Sequence, residues 1–302
     1  VPDSSVQDSY INYLKELDTE RFAQRARAFW DAPPESNESV LERFLDVVSV
    51  RDAQEVVSAS YSIGTLNYPA AQTMWRARRI GRTAGTTAIP DMNREADLWE
   101  APTPYVRSPG RLNQVGESVL YCSVGDPVVA MIEARVPSGE RFALIRYETI
   151  RAATLTQIAA DTPPDWLPPE LFATHATVVA FYRDVFTREF DGRNDLTYVL
   201  SNRVAKDWFD LPDSAVDGWS FPSIARGRGV NAAFRPVKAH EVLRVVGVAY
   251  CEAVSTGLLG PGIKAFGFSP GPAESERDFR WFQMGSAFQT SRFPEFHNYE
   301  TA

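Results

Sequence analysis

The stretch Val119–Tyr147, VLYCSVGDPVVAMIEARVPSGERFALIRY, decides the fold class. Val119-Leu120-Tyr121-Cys122-Ser123 is a compact apolar run and reads as a strand. Asp126 then offers a side-chain oxygen to the N–H groups of a helix start, and Pro127 brings a preset φ to the first helical position. A short helix is therefore predicted through Val128 to about Glu133. Phe142-Ala143-Leu144-Ile145-Arg146-Tyr147 follows as a second strand. Upstream, Trp75-Arg76-Ala77-Arg78 alternates as a strand does, and downstream Leu243 to Tyr250 is another β-rich run.

Helices precede and interrupt these strands. Val6, Tyr10, Leu14 and Leu17 recur every three or four residues, and Phe22, Phe29 and Trp30 extend the apolar content to a break at Pro33 and Pro34. A further helix is predicted to start at Ser39, with Ser39 and Glu42 as its capping box, and another to run from Asp52 to Ile63 and stop at Gly64. Pro163, Pro164, Pro168 and Pro169 mark a rigid loop before a helix from Glu170 to about Phe190. The expected class is α+β: a mixed β core with helices over 71–250, preceded by an N-terminal helical extension over 1–70. The Gly/Pro-rich and then aromatic segment 251–302, with Phe279, Trp281, Phe282, Phe288, Phe293 and Phe296, is too apolar for a free tail and is expected to pack on the domain or on a partner.

Composition excludes several functions. Apolar residues make up 44% and charged residues 23%, the balance of a folded globular protein rather than a disordered chain. No apolar run could span a bilayer, and the opening VPDSSVQDSYINYL has neither the basic nor the apolar region of a signal peptide, so a cytoplasmic protein without a membrane partner is expected. The 31 Lys and Arg against 39 Asp and Glu give net charge −8, the wrong sign for a phosphate backbone, so no nucleic-acid partner is expected. Cys122 and Cys251 are far apart and without CxxC spacing, and His175, His240 and His297 are scattered without HExxH, so neither a disulfide framework nor a metal site is predicted. There is no GxxxxGK[ST] or GxSxG, and Gly257, Gly260 and Gly262 have the reverse of the GxGxxG spacing.

Four features remain. Arg76, Arg78, Arg79 and Arg82 lie within a short segment of an acidic protein, and on a strand Arg76 and Arg78 share one face while Ala77 and Arg79 share the other. Pro109-Gly110-Arg111-Leu112-Asn113-Gln114-Val115-Gly116 sets an arginine and an asparagine on a constrained loop just before a strand. Glu133 sits late on a helix with apolar neighbours, and Asp217-Gly218-Trp219-Ser220-Phe221-Pro222-Ser223 is followed by Gly227, Gly229 and Asn231-Ala232-Ala233-Phe234. Taken singly, each has an ordinary use: surface ion pairs, a hairpin turn, a solvated carboxylate, turn serines. Their order along the chain is what carries meaning.

WRARR at Trp75–Arg79, PGRLNQVGESVLYCS at Pro109–Ser123, AMIEAR at Ala130–Arg135, GWSFPS at Gly218–Ser223 and NAAF at Asn231–Phe234 resemble successive blocks of the RES domain family, from about Met74 to Tyr250. The resemblance maps the family's Arg, Glu and Ser to Arg76, Glu133 and Ser223, and Arg111 and Tyr121 to two further pocket positions, with Asn231 in the last block. Leu112 stands where Phe or Trp is commoner, and the segment between Glu133 and Tyr198 is long. The resemblance implies a fold similar to ADP-ribosyltransferases and an enzyme that degrades NAD by phosphorolysis or hydrolysis, or passes ADP-ribose to a protein. NAD would be the substrate rather than a cofactor, with phosphate as co-substrate in the phosphorolytic case. A catalytically silent module recognising NAD or ADP-ribose is the alternative of another class. It also implies, as for toxins of toxin–antitoxin pairs, a separate antitoxin partner, and it leaves a homo-oligomer open.

Roles follow from the chemistry once that resemblance is granted. Breaking the nicotinamide–ribose bond builds positive charge on the ribose, which calls for a carboxylate, here Glu133. Arg76 would clamp the diphosphate, Arg111 the pyrophosphate or an incoming phosphate, Tyr121 would stack on the nicotinamide, and Ser223 would bond phosphate or ribose. Two arginines exceed what one diphosphate needs, which favours phosphorolysis over hydrolysis.

Overall fold

The computed structural model describes residues 4–31, 36–51, 57–80, 92, 94–160, 162–188, 196–224, 229–255, 260–271 and 279–296. The expectations for Arg82, Gly227, Gly257 and His297 fall outside these residues. In chain order, helices α1 (Ser4–Glu16), α2 (Thr19–Asp31) and α3 (Asn37–Val48) are followed by strands β1 (Val50–Arg51), β2 (Val57–Ser58), β3 (Gly64–Tyr68) and β4 (Thr73–Arg79). Then come β5 (Leu120–Val124), α4 (Pro127–Glu133), β6 (Arg141–Thr149), β7 (Ala153–Gln157), α5 (Phe172–Thr187) and α6 (Leu196–Trp208). Strands β8 (Gly218–Pro222) and β9 (Val230–Phe234), helix α7 (Pro236–Val242), strands β10 (Leu243–Ser255) and β11 (Pro261–Ser269) and helix α8 (Ala287–Arg292) complete the order. The class is α+β with leading helices, as the sequence indicates.

Two local expectations are corrected. Helix α3 is capped by Ser36, whose hydroxyl accepts from Ser39 N while the Ser39 hydroxyl accepts from Ser36 N, so Ser39 is the third residue of the helix and not its start. The helix expected over Asp52–Ile63 is not formed where the chain is described: Val57 and Ser58 pair with Arg51 and Val50 as a two-stranded ladder. Two successive β-branched residues, Val56 and Val57, lose side-chain entropy in a helix, and Ser58 and Ser60 favour competing backbone bonds outside one, so here pairing wins.

The chain forms two compact units. The first combines Val1–Leu66, Arg107–Glu117 and Leu155–Pro222. Its core is built around Phe181 of α5, with the rings of Phe22, Phe29 and Phe44 from α2 and α3 centred 5.9, 5.7 and 5.7 Å away. Trp208 of α6 closes on Phe44 at 5.0 Å. The N-terminal helices thus share a core with α5 and α6 rather than standing alone. β7 and β8 run parallel in this unit, Thr156 opposite Trp219.

The second unit combines Asn67–Val106, Ser118–Thr154 and Ser223–Ala302. Its strands lie in the order β11-β10-β6-β4-β5-β9, each antiparallel to its neighbours. Helix α4 covers one face, where Ala130 and Met131 pack with Trp75, Phe142 and Leu144. Phe293 and Phe296 close the same core, so the aromatic tail packs on its own chain. Arg146 fastens that tail: it is buried, donates to the Arg292 carbonyl and to Glu295 Oε2 at 3.1 Å, and lies 5.6 Å from the Trp75 ring.

Candidate active site

Glu133 is the last residue of α4, and both ends of that short helix are fixed by local chemistry. At the start, Asp126 Oδ1 accepts from Val128 N at 2.8 Å and Pro127 occupies the first position. At the end, Arg135 turns left-handed with φ 50°, which lets Arg135 N reach the Ile132 carbonyl at 2.8 Å and Val136 N the Met131 carbonyl at 3.2 Å. The last turn of a helix is unfavourable for a carboxylate, because free carbonyls concentrate negative charge there. Two donors offset this: Ser223 Oγ donates to Glu133 Oε1, and Ile224 N donates to the same oxygen at 2.9 Å.

Ser223 is fixed beside the start of β9: Ser223 N donates to the Gly229 carbonyl at 3.0 Å. Gly229 matters for space: a Cβ there would lie 2.9 Å from both Val129 Cγ atoms and 3.0 Å from Ser223 Cβ. The absence of a side chain at 229 lets the serine and the helix that carries Glu133 meet.

Strand parity sorts the remaining candidates. Trp75 lies opposite Ser123, and Ser123 opposite Asn231, so Tyr121, Ser123 and Asn231 project to the α4 face together with Trp75 and Ala77. Asn231 is buried there and Tyr121 half-buried. Arg76 and Arg78 project to the opposite face, as the alternation predicts: Arg76 Nη1 donates to the Trp99 carbonyl and Arg78 Nη1 to the Asp97 carbonyl at 2.8 Å. Arg79, on the other face, pairs with Glu140 at 3.0 Å.

Arg76 nevertheless holds a distinctive place. β4 pairs with β5 only at Met74–Val124 and Trp75–Ser123, whereas it stays paired with β6 through Arg79. The two strands part at Arg76, which stands at the root of the resulting fork. Its guanidinium lies near enough to the buried Cys122 thiol to pull against the burial that pushes that thiol up to about 12. The structure therefore brings Glu133 and Ser223 into direct contact, gathers Tyr121 and Asn231 on their face, and sets Arg76 at the fork without a hydrogen bond to either. Arg111 belongs to the first unit, where Nη2 donates to the Arg188 carbonyl at 2.8 Å and the guanidinium stands 5.6 Å from the Tyr198 ring. Sequence reasoning did not find the Ile224 N–H, the space at Gly229 or the Trp99 carbonyl. Backbone groups carry no residue signature, although a glycine six residues after the serine was visible as part of the same block.

A carboxylate held by a hydroxyl and an amide is equipped to stabilise positive charge that develops beside it, and the half-buried Arg76 stands in the same antiparallel unit on the other face of β4. Residues 73–250, more than half of the chain, match the RES domain. The protein belongs to the RES domain family, and that membership is consistent with an NAD-related, toxin-like function. No match to a curated protein was found. Among the described residues no helix is long and apolar enough to cross a membrane.

Proposed function

We propose that the protein consumes NAD by cleaving the bond between nicotinamide and ribose. The observation that carries this reading is the double anchoring of Glu133 Oε1 by the Ser223 hydroxyl and the Ile224 amide. As the C–N bond breaks, its electron pair leaves with nicotinamide and positive charge gathers on the ribose. A carboxylate fixed before the reaction stabilises that charge without reorganising. Ser223 acts here by orienting Glu133, a more specific part than the ribose or phosphate contact expected from sequence. Arg76, tied at one nitrogen to the Trp99 carbonyl, offers a preset guanidinium to the diphosphate. Tyr121 and Asn231 supply a ring and an amide on the Glu133 face. An oxygen of phosphate or of water then bonds to the ribose carbon, giving ADP-ribose-1″-phosphate or ADP-ribose. A cytoplasmic location and a separate protein that blocks the site belong to the same proposal, since unrestrained cleavage would drain a shared pool.

The test is incubation of purified enzyme with NAD, with and without phosphate, followed by chromatography of all products. Release of nicotinamide is expected, and Glu133→Gln should lower turnover by about 10²-fold or more with little change in NAD binding. No nicotinamide at micromolar wild-type enzyme would overturn the reading, and ADP-ribose alone, indifferent to added phosphate, would assign water as the acceptor.

A further inference from the structure

The outer strands of the second unit carry a row of charged and aromatic side chains on the face turned away from α4. Cys251 and Ala253 of β10 pack into the core with Phe268, so the alternate residues Tyr250 and Glu252 project to the other face. Arg141 lies opposite Glu252 and Glu252 opposite Lys264, which sets cation, carboxylate and cation side by side across β6, β10 and β11. Aromatic rings stand beside this row. Tyr250 and Phe266 are centred 6.0 Å apart, Tyr250 and Trp281 6.3 Å, and Trp281 stacks with Phe279 at 5.9 Å. Trp281 is seated against Gly267, where a Cβ would come within 3.3 Å of its Cε3. Phe266 and Trp281 remain 38% and 39% exposed.

Arg141 joins the charges to the rings. Its guanidinium stands 5.3 Å from the Tyr250 ring and 4.7 Å from the Phe266 ring, Nη1 donates to Tyr250 Oη at 3.0 Å, and Nε lies 3.7 Å from Glu252 Oε2. Lys264 Nζ lies 5.5 Å from the Phe266 ring. Three neighbours thus hold a guanidinium whose side chain is still 44% exposed, so a carboxylate docking on it meets a preset fork with little rotamer freedom left to lose.

Trp, Tyr, Phe and Arg in mutual contact are the composition of the centre of a protein interface rather than of ordinary surface. Charge and ring geometry fix the partner's chemistry. Two cations to one carboxylate in the row favour a few carboxylates at contact, while the chain's net charge of −8 repels a polyanion at longer range. Arg141 and Lys264 already cover ring faces of Tyr250 and Phe266, and Phe279 one of Trp281, unlike the open rings on which nucleic-acid bases stack. We propose that this surface docks a protein partner through a segment that pairs carboxylates with Arg141 and Lys264 and packs an aromatic or large aliphatic side chain on Phe266 and Trp281. The proposal uses neither Glu133 nor Arg76 and stands independently of the functional reading.

The test is selection from a phage-displayed library of random dodecapeptides on the full-length protein, with counter-selection on Trp281→Ala. Trp281 and Arg141 are exposed, so their substitution should not unfold the chain, which thermal melts check. Enriched peptides should combine two or more acidic residues with a large apolar one. By fluorescence anisotropy, a synthetic copy should bind wild type at least about tenfold more tightly than Trp281→Ala or Arg141→Gln. Arg141→Glu together with Lys264→Glu should abolish that binding and transfer it to a copy whose acids are replaced by lysine. No enrichment on wild type over Trp281→Ala, enrichment of sequences without acids, or no transfer on charge reversal overturns the proposal. It also falls if oligothymidylate or phosphatidylserine vesicles bind more tightly than the selected peptide and lose binding in Trp281→Ala. A wild-type dimer that Trp281→Ala dissociates overturns it as well, since the face then belongs to a second copy.

Discussion

Replacing Gly229 by alanine would place a methyl group 2.9 Å from both Cγ atoms of Val129 and 3.0 Å from Cβ of Ser223. Carbon atoms at rest sit roughly 3.5–4.0 Å apart, so something must yield by about 0.5 Å or more. The methyl cannot swing aside, because Gly229 is fixed by the Ser223 N–H on its carbonyl. Both neighbours lead to the site: Val129 is one turn before Glu133 on α4, and Ser223 donates to Glu133. Overpacking of this kind costs about 1–3 kcal/mol of stability. Its effect on turnover should be larger than its effect on binding, since misplacement by 1 Å can reduce a rate by about 10²-fold. We expect Gly229→Ala to lower kcat for NAD cleavage by about 10-fold to 10²-fold, with KM within about twofold because Arg76 lies on the other face of β4. Steady-state kinetics with a thermal melt on the same samples separates the two effects. Val129→Ala added to Gly229→Ala removes the closest contacts and should restore most of kcat. A variant that melts lower yet keeps wild-type kcat, or a double variant with no recovery, would refute the idea that the 229 position registers the serine against the carboxylate.

Two further outcomes test the surrounding structure. Arg146→Met removes a buried guanidinium bonded to the Arg292 carbonyl, Glu295, Thr73 and Glu148, and should lower stability by about 3 kcal/mol in urea unfolding; a change below about 1 kcal/mol would show that Phe293 and Phe296 hold the tail without it. His175 is held below its ordinary 6.5 by burial, so it is neutral in both states above that value. As pH falls through about 6.5 the unfolded chain takes up the proton first and stability is lost, so the melting temperature should drop between about pH 7.5 and 5.5, and drop less in His175→Gln; equal slopes would refute the assignment.

Local chemistry was legible in the residues. Asp126 and Pro127 start α4 where the sequence says a helix must start, because capping and a preset φ need only neighbours. The alternation of β4 put Arg76 and Arg78 on one face for the same reason: pleating is a property of a single strand. Near misses were also local, as where Ser36 rather than Ser39 caps α3, one turn of the same pattern read three residues late.

What the sequence could not contain is anything that depends on which segments meet. The hydrogen bond between Ser223 and Glu133 joins residues ninety positions apart, and it exists because the segment at Ser223–Ile224 and the end of α4 arrive at one point. The fork at Arg76 is set by where β5 stops pairing with β4 while β6 continues, a matter of strand register rather than composition. Likewise the N-terminal helices are amphipathic in sequence, but only the packed chain shows that Phe181 of α5 is what they bury against. Apolar periodicity states that a face must be covered; burial is non-directional, so the choice of cover belongs to the tertiary structure.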